Sequence, residues 1–188
     1  MKRKGNLWQT IISVDNLLLA YYKARRGKQQ RDDVALFGFN LELEITQLHQ
    51  ALLENSYIPG QYRQFIIRER KPRLISAAPF RDRVVHHAIM NVLEPILDKL
   101  FYFHSYACRK GKGVHKAVDY YQQCSRRYAY VLKLDIARYF PSINHHELKS
   151  QITRIIKDKK LLELIDLIID GSPCIDSGIG LPIGNLTS

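Results

Sequence analysis

Apolar residues recur every three to four positions along most of this chain, the period of an amphipathic helix. Leu17, Leu18, Tyr21 and Ala24 share one side of a helix predicted over residues 14–26, with Ser13 as its cap and Gly27 as its stop. Leu41, Ile45, Leu48 and Leu52 repeat that spacing over 40–55, and Val85, Ile89, Val92 and Ile96 repeat it over 82–98. Val114–Arg127 is expected to be helical. Asn144, with Glu147 three residues on, forms a capping box that opens a helix running to about residue 157. A shorter helix is predicted at Leu161–Asp170, ended by Gly171.

Other stretches follow a different pattern. Tyr62–Glu69 and Arg73–Ala77 read as two strands around Arg70-Lys71-Pro72. The proline fixes its own φ and gives no ladder donor, so it is expected in the turn. Arg68, Arg70, Lys71 and Arg73 then crowd one hairpin tip. Tyr128–Asp135 carries the nearly continuous apolar run Val131, Leu132, Leu134 and Ile136, as a strand buried on both faces would, and it ends on an acid. Ser105–Gly113 is a basic, glycine-containing loop, and Gly178–Ser188, with three glycines and a proline, is a loop or hairpin. The expected fold class is α+β.

Composition narrows the function. A chain of 188 residues suits one domain, or one and a fraction, and 46% hydrophobic residues exclude disorder throughout. The 29 Lys and Arg against 18 Asp and Glu leave a net charge of +11, which favours an acidic partner such as nucleic acid. Residues 1–31 hold eight basic groups and one acid, Asp15. That stretch is either a solvated helix face or a phosphate-binding patch. No apolar run reaches the roughly 20 residues needed to cross a bilayer. Trp8, Gln9, Asp15 and Asn16 interrupt any signal-peptide core after the basic start. A cytoplasmic protein with no membrane partner is expected. Cys108, Cys124 and Cys174 are odd in number and widely spaced, which gives neither a disulfide framework nor a zinc site.

Candidate chemistry centres on Asp135. A carboxylate delivered at the end of a buried strand is costly unless something neutralises it, and a divalent cation does that well. The alternative is an acid paired with Lys133 or Arg138, or one simply solvated. The paired histidines at 86–87 and 145–146 project about 100° apart on a helix and do not easily share a metal, so packing or surface roles are expected for them.

The stretch Val131-Leu-Lys-Leu-Asp-Ile-Ala-Arg-Tyr-Phe-Pro-Ser-Ile143 resembles motif A of reverse transcriptases, in which an aspartate ends a palm strand and an aromatic residue follows five positions later, here Phe140. Arg73-Leu-Ile-Ser-Ala-Ala-Pro-Phe-Arg-Asp-Arg-Val-Val-His-His-Ala88 is similar to the fingers segment of the bacterial enzymes. Ser105-Tyr-Ala-Cys-Arg-Lys-Gly-Lys-Gly113 is similar to the block before motif A, and Gly180-Leu-Pro-Ile-Gly-Asn-Leu-Thr-Ser188 to motif B. The resemblance covers roughly residues 60–188, in the family's order.

This resemblance implies a right-hand polymerase fold. It would comprise an N-terminal basic helical region (1–56), helical fingers with a β-hairpin (57–127) and a partial palm (128–188) with an incomplete sheet. It implies RNA-templated DNA synthesis on a template RNA and a primer strand, from deoxynucleoside triphosphates, with two Mg²⁺ ions for which Mn²⁺ can substitute. Asp135 and the Ile136 carbonyl would hold metal, and two such cations can stabilise the attacking and leaving oxygens together. Lys71 and Arg73 would grip the triphosphate, and Phe140 would wall the sugar pocket. Ala137, Arg138 and Tyr139 would line the pocket floor by their backbone, and Gly184 would allow close approach to the template–nucleotide pair. Arg81, Arg83, Arg109, Lys110 and Lys112 could track template phosphates.

Ile183 stands where most of the family has glutamine, and an aliphatic residue there resembles the enzymes of diversity-generating retroelements, which miscopy template adenines. Isoleucine packs but cannot hydrogen-bond, so pair discrimination is expected to weaken. That subfamily implies a small accessory protein as a further partner. Retron-like or group II intron-like enzymes, and a non-catalytic RNA-binding remnant, are the alternatives. The family's Tyr-x-Asp-Asp hairpin and thumb have no counterpart in this sequence. It therefore reads as an N-terminal portion that is not expected to polymerise alone.

Overall fold

Caps and helical periodicity account for most of the observed elements. The computed structural model describes residues 2–68, 72–173 and 178–184. The chain divides into two compact units, Met1–Val92 with Arg138–Ser188, and Leu93–Ala137.

In the first unit a short helix, α1 (Trp8–Ile12), precedes α2 (Val14–Ala24). The Ser13 side chain accepts a hydrogen bond from the Asn16 amide at 3.3 Å, so α2 starts as its sequence predicts. α3 (Asp32–Phe39) and α4 (Leu41–Leu53) follow. Neither α1 nor α3 was expected. In α3 the two acids of the first turn, Asp32 and Asp33, suit the positive end of the helix dipole. Leu17, Ala20 and Tyr21 of α2 and Ile45, Leu48 and Leu52 of α4 are all buried. Tyr21 stacks on Phe37 at 5.7 Å between ring centroids, and Phe80 meets both rings edge-on.

A hairpin comes next. β1 (Arg63–Arg68) pairs antiparallel with β2 (Pro72–Ala77), with Arg63 opposite Ala77 and Arg68 opposite Pro72. Pro72 is thus the first ladder residue of β2 and not a turn residue. A strand's first position tolerates proline because its missing donor falls at the ladder's end. α5 (Phe80–Asp98) begins in the first unit with Val84, Val85, His86, Ala88 and Ile89 buried.

After Arg138 the chain re-enters this unit. A 3₁₀ turn (Phe140–Ser142) leads to α7 (His145–Ile155), and α8 (Lys159–Asp170) closes it. Asn144 caps α7 by accepting from the Glu147 amide at 3.2 Å, as predicted. The chain start docks on the α7–α8 joint. Lys4 bridges to Ile156, and Asp158 Oδ2 accepts from the Leu7 and Trp8 amides at 2.9 and 3.1 Å. The acid before α8 thereby caps α1 from about 150 residues away.

The second unit holds the end of α5, a loop and α6 (Val114–Arg127), none of whose residues is buried. The predicted strand Tyr128–Asp135 does not form. Val131, Leu132, Leu134 and Ile136 are exposed, and β1–β2 is the only sheet among the described residues. A strand gains its hydrogen bonds only from a neighbour, and the second unit contains no described strand to supply one. An apolar pattern alone does not supply one.

Candidate nucleotide and nucleic-acid site

Three segments far apart in sequence meet in the first unit. The loop Gly178–Gly184 lies against the segment around the 3₁₀ turn, with Gly180 N donating to the Ile143 carbonyl at 2.7 Å and Leu181 N to the Phe140 carbonyl at 2.9 Å. Its far end reaches β2, where Ser76 N donates to the Ile183 carbonyl at 3.0 Å. Gly184 sits at φ 116°, and a Cβ there would stand 2.9 Å from Ile75 Cγ2 and 3.2 Å from the Ser76 carbonyl oxygen. Only glycine fits that approach and that backbone.

This arrangement links Arg138–Phe140 to Ile183–Gly184 through Leu181, and Ile183 to β2, where Arg73 lies three residues before Ser76 on the exposed stretch of the strand. Arg138 adopts φ 52°, a left-handed conformation that costs a non-glycine residue of order 1 kcal/mol or more. The Tyr139 and Phe140 rings meet edge-on at 5.3 Å. Lys71 lies outside the described residues, as do Cys174 and Asn185–Ser188.

Beside β1, a cavity of about 760 Å³ is lined by Gln30, Arg31, Asp33, Arg63, Phe65 and Pro79, among others. Arg83 stands nearby, 3.2 Å from Asp33, and burial lowers its pKa from the usual arginine range. Desolvation likewise lowers Lys28, helped by the charges of Arg83 and Arg31. Sequence reasoning singled out neither Arg63 nor this cavity. β1 has no polar–apolar alternation to mark Arg63, and only the fold shows that the loop before α3 faces the same opening. Arg81 stacks over the Tyr57 ring at 5.2 Å.

In the second unit Asp135, Ile136 and Ala137 lie in irregular, exposed backbone. Arg109 is committed internally. It donates to Asp98 Oδ1 at 2.6 Å and to the carbonyls of Tyr102, Ser105 and Asp98. That bond to Asp98 holds the carboxyl below its usual range and raises the arginine. Lys112 donates to the Phe103 carbonyl and lies 4.1 Å from that ring's centroid. Lys110 is exposed.

A metal pair asks for several oxygen ligands in one place. Asp135 offers one carboxylate, and among the described residues no group of three or more His, Cys, Asp or Glu is placed to hold an ion. The donor set described here does not by itself fit two cations, and no catalytic step is derived through them. No helix among the described residues is long and apolar enough to cross a membrane.

Comparison with known proteins finds relatives over most of the chain. The chain is 28% identical over 161 residues to "Protein YkfC" of Escherichia coli (strain K12), a match covering 79% of this chain and 42% of the relative. It is 27% identical over 167 residues to "Group II intron-encoded protein LtrA" of Lactococcus lactis subsp. cremoris, covering 85% of this chain and 28% of that protein. The chain thus spans less than half the length of these curated relatives. Among solved structures, a chain of a "Cas6-RT-Cas1--Cas2 complex" has a similar fold, with a TM-score of 0.63 at 24% identity over 95% of this chain and 20% of that one. The family described as "Reverse transcriptase (RNA-dependent DNA polymerase)" matches residues 63–181, from the first hairpin strand through the Gly180-Leu181 loop that joins the three segments. The chain belongs to the reverse transcriptase family.

Proposed function

We propose that this chain supplies the fingers and the first part of the palm of an RNA-directed DNA polymerase. The observation that carries the proposal is the junction of Arg138–Phe140, Gly180–Gly184 and β2 in one unit, of which all but residues 182–184 lie inside the family-matched residues. In this proposal Arg73, with Lys71, grips the triphosphate. The backbone of Ala137–Tyr139 and the Phe140 ring frame the sugar, and Gly184 admits the template–nucleotide pair. Asp135, with the Ile136 carbonyl, is the metal-facing group, with Mg²⁺ or Mn²⁺ as the ion. A single carboxylate is too few ligands for chemistry in this chain alone. The cavity bounded by Arg31 and Arg63, near Arg83, takes the template RNA backbone.

The test has two arms. RNA binding to the chain is expected to weaken with salt. Replacing Arg63 and Lys110 by Gln should flatten the dependence of log affinity on log salt by about 1.4, at roughly 0.7 per single-strand phosphate contact. Primer extension on an RNA template is expected to be absent with this chain. Incorporation that Asp135→Ala abolishes would overturn that half, and RNA binding indifferent to salt would overturn the other.

Two finer readings each have an observation behind them. Ile183, aliphatic and half-buried against β2, favours a diversity-generating enzyme that misincorporates opposite adenine, works with a small accessory protein and gains fidelity on Ile183→Gln. The likeness to intron-encoded proteins favours an intron-type enzyme, whose fidelity opposite adenine should not depend on that substitution.

A further inference from the structure

His145 is the first residue of α7, is only 4% exposed, and plays no part in the reaction as outlined above. Its ring faces two acceptors. Nε2 stands 2.8 Å from the Gly180 carbonyl oxygen, and Nδ1 stands 3.5 Å from Asp170 Oδ1 on α8. A carbonyl oxygen can only accept, so Nε2 carries the proton. Asp170 on α8, which faces Nδ1, is itself paired with Lys149 of α7, and Lys149 also lies 3.9 Å from Asp166. Lys149 Nζ holds both Asp170 oxygens, at 2.7 and 2.6 Å. Lys149 and His145 together hold the Asp170 carboxyl below its usual range, with the Lys149 hydrogen bond the larger cause.

The carbonyl that His145 grips lies at a delicate point of the loop. Gly180 sits at φ 101°, and a Cβ there would come within 3.3 Å of the Pro141 carbonyl oxygen. Up to Gly180 the loop is held by backbone, through the Asn144–Ile179 bridge and the bond from His145 N to the Gly178 carbonyl at 2.9 Å. Beyond it the chain turns to Phe140 and then to Ser76 of β2. The Gly180–Leu181 peptide therefore sets the direction in which Leu181–Gly184 leave, and it is held from both sides, its carbonyl by the imidazole and its N–H by the Phe140 carbonyl.

We propose that His145 is a positioning residue: its Nε2–H clamps the Gly180 carbonyl and so holds the Ile183–Gly184 end of the loop where a deoxynucleoside triphosphate is received. The nucleotide half of this proposal rests on the polymerase reading given above, and the clamp half does not.

The experiment uses the 188-residue chain and three readouts. Long-range ¹H–¹⁵N NMR should show Nε2 protonated at every pH at which the chain is folded. A neutral Nδ1–H tautomer would overturn the clamp. In His145→Leu, the Gly180 and Leu181 amides should exchange about tenfold faster, the loss expected for one hydrogen bond to a buried group. His145→Gln, whose amide can still donate, should recover most of that protection. Equal exchange in all three proteins would overturn the clamp, as would exchange raised equally in both variants. Titration with dATP should show weaker binding in His145→Leu and near-normal binding in His145→Gln. A clamp that passes the first two readouts while dATP binds all three proteins equally would overturn the nucleotide half. If dATP binds none of them, the polymerase reading of this chain fails while the clamp stands.

Discussion

His86 lies in the buried stripe of α5, 1% exposed, with Nδ1 unpartnered. Burial, aided by the charges of His87 and Arg83, pushes its pKa down to about 4. The folded state thus favours the neutral ring, and the resulting stability is complete above the ordinary histidine value near 6.5. It is lost as the pH falls from there toward about 4, because the unfolded chain takes up a proton that the folded chain refuses. A shift of that size corresponds to about 2 kcal/mol lost between pH 7 and pH 5, and about 3 kcal/mol by pH 4. That is a large part of the 5–15 kcal/mol typical of a domain. Trp8, the chain's one tryptophan, is buried in the same unit, so its fluorescence in urea titrations reports the unfolding of that unit. The wild-type chain should lose stability steeply below pH 6.5, and His86→Leu should lose about 2 kcal/mol less between pH 7 and pH 5. His87, pushed down in the same direction by burial and by the charges of Lys23, Lys28 and Arg83, stays in the variant and leaves a residual slope. Identical pH dependence in the two proteins would refute the reasoning.

Three other substitutions separate local contributions. Gly184→Ala should cost about 1–3 kcal/mol, since its backbone is left-handed and its Cβ meets Ile75 and Ser76; thermal unfolding measures this, and an unchanged melting temperature would contradict the close approach. Asp158→Ala removes the remote cap of α1 and should cost about 1 kcal/mol while shifting Trp8 emission to the red; unchanged emission would mean that the chain start docks without it. Arg138→Gly relieves a left-handed arginine and keeps the backbone assigned to the pocket floor, so the fold should hold to within about 1 kcal/mol in thermal unfolding. A large loss of stability would show that the side chain braces the turn.

The elements legible in the sequence are those whose signals are local. Ser13 and Asn144 each cap a helix through a bond spanning three residues, so helix starts at 14 and 145 follow from spacing. Gly171 ends α8 in the same way. Asp158 does for α1 what Ser13 does for α2, but from across the chain, and nothing near Trp8 announces it. The Tyr128–Asp135 pattern is that of a strand, yet pattern expresses only readiness to pair. The site divides similarly. Residue types at Arg138–Phe140 and Gly184 point to a nucleotide site, whereas the joining of the loop to β2 through Ser76 and Ile183 is a tertiary fact.

The net charge of +11 is not one pool of nucleic-acid contacts. Arg109 uses its guanidinium on Asp98 and three carbonyls, Lys112 lies on an aromatic ring, Arg81 stacks on Tyr57, and Arg83 pairs with Asp33. Each of these cations has lost hydration and rotamer freedom already, so binding a phosphate would mean breaking a contact the fold has made. Arg63, Arg73 and Lys110 are exposed, and a phosphate can release their counterions without disturbing the protein. Of the five cations that could track the template backbone, Arg81, Arg83, Arg109 and Lys112 each already hold a contact within the protein, and Lys110 is exposed. The exposed arginines of the hairpin, Arg63 beside the cavity and Arg73 on β2 before the three-segment junction, are among the places where the charge is available. In the polymerase reading proposed above, the hairpin is thus one element on which template and nucleotide would converge, beside the equally exposed Lys2, Arg3 and Arg26 of the chain start.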